Sequence, residues 1–301
     1  MVTAPRREDR VRIGRIGVFD SGFGGLTVLR ELLATLPDYD YVFLGDSARA
    51  PYGARSFEVI HDFALECIEA LFGMGCPLVV LACNTATARA LRTIQQRYLP
   101  VRRPDLRVLG VVRPSAEALA GLPPGAIPGV TPPAMAEGTV AVLGTAGTIA
   151  SDSYRIELSH LAPRLRVVQQ ACPLWVPLVE AGELDGPGTD FFVHRYLDPL
   201  FAPGDPPARI LLACTHYPAL LPRIRAAVPG GVELISQASV MAERLADWLV
   251  RHPEMETRLS RRGTREFLTT DDPDWFSEAG GRLLGQALEA RRIRILPVAY
   301  P

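Results

Sequence analysis

At 301 residues, 48% hydrophobic and 22% charged, the chain has the make-up of a soluble globular protein long enough for two separate cores. Its net charge of −1 gives no electrostatic case for a nucleic-acid or membrane partner, and no apolar run approaches the roughly 18 residues of a spanning helix. All 32 basic residues are arginine, so no side-chain Schiff base to pyridoxal phosphate can form and the usual phosphate-loop lysine is missing.

The segment 1–13 has no signal-peptide apolar core, which makes the cytoplasm the default and these residues a flexible tail. Beyond it, apolar segments at 16–19, 41–44, 78–82, 107–112, 139–143, 165–168, 209–213 and 232–235 alternate with helical patterns near 26–36, 56–73, 86–98, 152–161, 190–201, 218–227 and 239–250. That alternation predicts parallel sheets built from βα units.

The first apolar segment runs into Asp20-Ser21-Gly22-Phe23-Gly24-Gly25. As a dinucleotide fingerprint this turn is poor, because Thr27 takes the place of the third glycine and Asp20 would set a carboxylate beside a pyrophosphate. Asp46, at the end of the second strand, is the one residue that supports a nicotinamide reading. A small zwitterion suits the turn better: backbone N–H groups and Ser21 would receive its carboxylate, with Asp20 near an ammonium or a thiol. Farther on, Ile60, Phe63, Ala64, Cys67, Ile68 and Leu71 share one helical stripe, which makes Cys67 a core residue.

Val79-Val80-Leu81-Ala82-Cys83-Asn84-Thr85 has a near copy in Ile210-Leu211-Leu212-Ala213-Cys214-Thr215-His216. Each reads as a buried strand opening into a helix, so each thiol would stand at a strand's carboxyl end, where first-turn N–H groups favour a thiolate. A second echo pairs Ile16-Gly17-Val18-Phe19-Asp20-Ser21-Gly22 with Val140-Ala141-Val142-Leu143-Gly144-Thr145-Ala146, and the proline- and glycine-rich stretch 121–138 reads as a connection between lobes. Two related lobes facing across a cleft would bring both cysteines to one ligand. The segment from about 256 onward, with strand, acidic turn Asp271-Asp272-Pro273-Asp274, helix and short apolar run, would complete one lobe.

A cysteine buried in an apolar run is ordinarily a small hydrophobe, and Cys76 and Cys172, each followed by proline, fit that description. Five cysteines with no Cys-x-x-Cys pair argue against a disulfide framework or a zinc site. Glu180 ends the apolar stretch Val176–Val179, and His216, two residues beyond Cys214, forms with that cysteine a pair that cysteine hydrolases also use. Two thiols suit another reaction: taking a proton from one face of a carbon and returning one to the other needs two acid/base groups on opposite sides. An unperturbed thiol is only about 3% thiolate at neutral pH, so each needs a polar neighbour, and Asp20 and His216 are the candidates.

Asp20 to Val28, Gly45 to Gly53, Ala82-Cys83-Asn84-Thr85-Ala86, Thr145 to Tyr154, Pro177 to Glu180, and Cys214-Thr215-His216-Tyr217-Pro218 together resemble the glutamate racemases of the aspartate/glutamate racemase family. The resemblance implies two pseudo-symmetric doubly wound α/β lobes with the active site in the cleft: 14–107 with 220–301 as the first, 108–219 as the second. It implies a cytoplasmic, cofactor-independent and metal-independent isomerase acting on a small-molecule substrate, glutamate, and supplying D-glutamate for peptidoglycan; it leaves a homodimer open. Cys83 would act on the D enantiomer and Cys214 on the L enantiomer, with Asp20, His216 and Glu180 supporting the thiols. Asp20, Ser21, Pro51, Tyr52, Gly53, Asn84, Thr85, Thr148, Thr215 and His216 would hold the substrate. The chain departs from the family where Arg113-Pro114-Ser115 stands for the usual Glu-Pro-Gly, Ala213 for glycine, and Ser236-Gln237 for Asp-Ser. An aspartate racemase of the same superfamily and a non-catalytic two-lobed binding protein are the rival readings; the Tyr52, Thr85 and His216 contexts favour glutamate.

Overall fold

The computed structural model describes residues 14–127, 129–202 and 204–298; the segment 1–13, read as a tail, lies outside the described residues. Among the described residues ten strands form two sheets: β1 (Ile16–Asp20), β2 (Tyr41–Gly45), β3 (Leu78–Leu81), β4 (Arg107–Gly110), β5 (Glu137–Gly144), β6 (Arg164–Ala171), β7 (Arg209–Ala213), β8 (Glu233–Ser236), β9 (Arg265–Thr269) and β10 (Ala290–Arg292). The first sheet has the order β10-β9-β2-β1-β3-β4 and the second β6-β5-β7-β8, with every pairing parallel.

Strands buried on both faces must be apolar at successive positions, and this is what the continuous runs encode. In β3, Leu78 and Val80 enter one core while Val79 and Leu81 enter the core on the opposite face. The second sheet repeats the arrangement, Leu143 and Leu212 facing one way, Val142 and Leu211 the other. The helix Phe57–Gly73 starts at Ser56, whose Oγ accepts from Val59 N at 3.4 Å; of its expected stripe, Ile60, Ala64, Cys67, Ile68 and Leu71 lie buried against the first sheet and Phe63 is partly buried.

The order β2-β1-β3-β4 in one lobe is repeated as β6-β5-β7-β8 in the other, which makes β1 equivalent to β5 and β3 to β7. The chain reverses its direction of winding beside β1 and again beside β5, and each reversal opens a crevice at the strands' carboxyl ends. Strand pairing shifts the lobe limits read from sequence. β4 pairs with β3 and belongs to the first sheet, and β8 pairs with β7 and belongs to the second, so the return to the first lobe comes with the helix Gln237–Arg251 rather than at 220. Both are edge strands, and an apolar run does not reveal which sheet's edge it joins. As expected, the C-terminal segment completes the first lobe through β9, the helix Pro273–Leu284 and β10. Asp272 caps that helix, its Oδ1 accepting from Asp274 N at 2.9 Å.

Candidate active site

The two crevices face each other across a cavity of 160 Å³. Its walls include Ser21 after β1, Cys83 after β3, Thr145 after β5 and Cys214 after β7, so equivalent strand ends of the two lobes supply equivalent positions.

Cys83 is 5% exposed and precedes a helical segment that opens at Asn84. Its thiol donates to Ser21 Oγ at 3.3 Å and accepts from Ala86 N at 3.4 Å. Burial, with the Asp20 carboxylate second, pushes this thiol up to about 12 against the opposing pull of Ser21 and the Ala86 N–H. The helix opening therefore does not lower the Cys83 thiol, contrary to the sequence expectation. Desolvation by burial outweighs one long N–H···S contact.

Cys214 has a different neighbour. His216 Nδ1 lies 4.0 Å from its Sγ, and His216 Nε2 lies 3.3 Å from Glu180 Oε1, an ion-pair distance with the oxygen off the N–H axis. Burial opposes a charge on this imidazole, yet Cys214, Glu180 and Asp20 together raise it to about 10, so it is an imidazolium at neutral pH. Gly24 explains how the ring fits. A Cβ there would stand 2.5 Å from His216 Cε1 and Nδ1, so the first lobe's glycine turn leaves room for the second lobe's histidine. Phe23 closes over the ring, 5.4 Å between centroids.

Asp20 is fully buried and lies behind the cavity rather than on its wall. It accepts from Gly22 N at 3.1 Å and from Thr215 Oγ1 at 3.5 Å. Burial raises its carboxyl above the usual range, with His216 and the hydrogen bonds acting the other way. Thr27, at the would-be third glycine, places its hydroxyl 2.9 Å from the Gly24 carbonyl and 3.1 Å from the Thr215 carbonyl, so its one proton is shared between its own turn and the other lobe.

The remaining expected residues divide. Pro51, Gly53, Asn84, Thr85, Thr215 and Glu180 border the cavity. Tyr52 borders it too, but its hydroxyl donates to Asp46 Oδ2 at 2.5 Å and is not offered to a ligand. Asp46 also takes Arg49 Nε at 2.7 Å and Thr270 Oγ1 at 2.9 Å, which fixes it as the anchor of the 51–54 loop and removes the nicotinamide reading. Thr148 is fully buried behind the wall, 3.3 Å from Thr85 Oγ1 and 3.1 Å from Thr145 Oγ1, and it is Thr145 that reaches the cavity. The signal for Thr145 was present, since the echo of the two glycine turns sets it in register with Ser21. Pro173 and Val176, an apolar part of the wall, had no such signal. Cys67 is buried as expected, though Arg49 Nη2 donates to it at 3.3 Å. Cys76 and Cys172 lie in the cores and do not border the cavity.

The family model of Asp/Glu/hydantoin racemases matches residues 16–245. The chain is 38% identical over 274 residues to a glutamate racemase of Roseobacter denitrificans, covering 91% of this chain and 98% of that one. It is 36% identical to a glutamate racemase of Geobacter metallireducens, covering 91% and 93%. Among solved structures, a glutamate racemase isoform of Bacillus anthracis superposes with a TM-score of 0.81 at 31% identity, covering 96% of this chain and 100% of that one. The glutamate racemase of Francisella tularensis in complex with D-glutamate gives 0.80 at 26% identity, covering 94% and 98%.

Proposed function

Because this chain belongs to the Asp/Glu/hydantoin racemase family, we propose that it interconverts L- and D-glutamate with two cysteine thiols and no cofactor. One observation carries the mechanism: Cys83 and Cys214 come from equivalent strand ends of opposite lobes and border one small cavity. A thiolate on one side takes the α-proton, forming S–H and leaving the C–H electron pair on the α-carbon, delocalised into the carboxylate. The thiol on the other side gives its proton to the opposite face and becomes a thiolate. One S–H is made and one is lost, and proton exchange with solvent restores the starting form.

The charges around the two thiols suit that division. Cys83, pushed up to about 12, is held as the proton donor of the resting protein. The imidazolium of His216 beside Cys214 holds a proton ready to return. The hydroxyls of Ser21, Thr85 and Thr145 are donors for a carboxylate, which must be satisfied once desolvated. By resemblance Cys214 takes the proton of the L enantiomer and Cys83 that of the D enantiomer, and the product serves peptidoglycan synthesis in the cytoplasm.

Incubating the protein with each enantiomer of glutamate and of aspartate, with a chelator present and no cofactor added, tests the reading by chiral chromatography. Glutamate should approach an equal mixture from either side. Inversion of aspartate alone, or activity that needs an added metal or cofactor, would overturn it.

A further inference from the structure

Two of the departures from the family pattern, Ser115 and Gln237, meet in space. Gln237 is 3% exposed at the start of the helix Gln237–Arg251. Its Nε2, with two protons, lies 2.8 Å from Asn84 Oδ1, 3.1 Å from Tyr154 Oη and 3.2 Å from Ser115 Oγ. Its Oε1 accepts from Asn84 Nδ2 at 2.5 Å, and the Tyr154 hydroxyl donates to Asn84 Oδ1 at 2.6 Å. These residues converge on the side chain that follows Cys83 in sequence. Neither Ser115 nor Gln237 borders the cavity.

The sense of the network is set at one end. Ser115 Oγ donates to the Val111 carbonyl at 2.7 Å, and a carbonyl can only accept. The single hydroxyl proton is thereby committed, which leaves the Ser115 oxygen as an acceptor. Gln237 must then turn its NH2 group toward Ser115 and its carbonyl toward Asn84. Asn84 answers with Nδ2 toward Gln237 Oε1 and Oδ1 toward Gln237 and Tyr154. Burial pushes the Tyr154 phenol up, so it keeps the proton it donates. Asn84 Oδ1 now holds two hydrogen bonds while one Nδ2 proton is uncommitted. Asn84 borders the cavity, so the group it has left for a ligand is a donor. A flipped amide would offer a carbonyl oxygen, which repels a carboxylate.

We propose that Ser115 and Gln237 are a matched pair of positioning residues that fix the Asn84 amide as an N–H donor to the substrate carboxylate. The two departures are then one change. A glycine at 115 would remove the acceptor that orients Gln237, and a serine at 237 has too short a side chain to make the paired amide contact with Asn84. The proposal rests on the glutamate reading for the identity of the anion.

Ser115→Ala removes one oxygen and no cavity contact. It should raise KM for glutamate roughly tenfold with a smaller change in kcat, the weight of one charge-assisted hydrogen bond. In an Asn84→Ala background the same substitution should leave KM unchanged, although any loss of thermal stability should persist. An unaltered KM in the otherwise native protein, or the same rise in both backgrounds, would overturn the proposal. Nitrogen-15 NMR of the free protein supplies a readout that needs no activity. The Asn84 side-chain amide protons are expected to exchange slowly with solvent, and in Ser115→Ala to change chemical shift and exchange faster. Identical Asn84 amide signals in the two proteins would refute the fixed orientation, whereas failure of the native protein to racemise glutamate would refute only the functional reading.

Discussion

Cys83 and Cys214 follow equivalent strands of two like sheets, but the lobes surround them differently. The first lobe gives its thiol a serine hydroxyl, one amide N–H and a nearby carboxylate, while the second gives its thiol a histidine backed by Glu180. Topology sets where each sulfur stands, and the neighbours set which polar groups surround it. Asp20 joins the two halves: its carboxylate opposes an anion on Cys83 and favours a cation on His216. One buried group thus helps to keep the first thiol protonated and the second thiol's partner charged.

Removing either sulfur should have the largest effect. Cys83→Ala and Cys214→Ala should each bring racemisation below detection in a polarimetric assay, because a single base takes and returns a proton on its own face. Appreciable activity in either variant would break the equivalence of the two halves.

His216→Asn and Asp20→Asn should each lower kcat by roughly 10²- to 10⁴-fold, as for loss of a group that tunes or relays a proton. They should also alter stability in a pH-dependent way. His216 binds its proton more tightly in the folded chain, at about 10, than at its ordinary 6.5. The stability this supplies is fully present below about pH 6.5 and is lost as pH rises through about 10. Thermal melts between pH 6 and 10 should therefore fall less steeply for His216→Asn than for the native chain. Parallel slopes would mean that the imidazole is neutral.

The two threonines of the second lobe sharpen the comparison further. Thr145→Val removes a hydroxyl from the wall facing Ser21 and should raise KM for glutamate roughly tenfold, whereas Thr148→Val, one layer behind, should raise it less. The reverse order would return Thr148 to the substrate. Smallest in effect on turnover is Cys67→Ala, which should cost about 1–2 kcal/mol of stability by denaturant titration and leave kcat nearly unchanged.

The strand frames, both cysteines at their strand ends and His216 beside the second were legible because each is a local pattern: an apolar run, a turn, a short spacing. What could not be read depends on contact between lobes. Gly24 is required by a histidine far along the chain, and the proton affinity of Cys83 follows from burial in the folded protein, with the Asp20 carboxylate second. Tyr52 looked like a ligand for substrate, yet its hydroxyl belongs to Asp46. Thr145 was within reach of sequence reasoning through the repeated glycine turn. The edge strands β4 and β8 were not, since nothing in a run of four residues names the sheet it joins.

The central claim, one thiol for each face of the α-carbon, is tested most directly by hydrogen exchange in the single variants. With D- or L-glutamate in deuterium oxide and proton NMR as the readout, Cys214→Ala should exchange the α-hydrogen of D-glutamate without inverting it, and Cys83→Ala that of L-glutamate. Exchange of both enantiomers by one variant, or inversion by either, would contradict the claim.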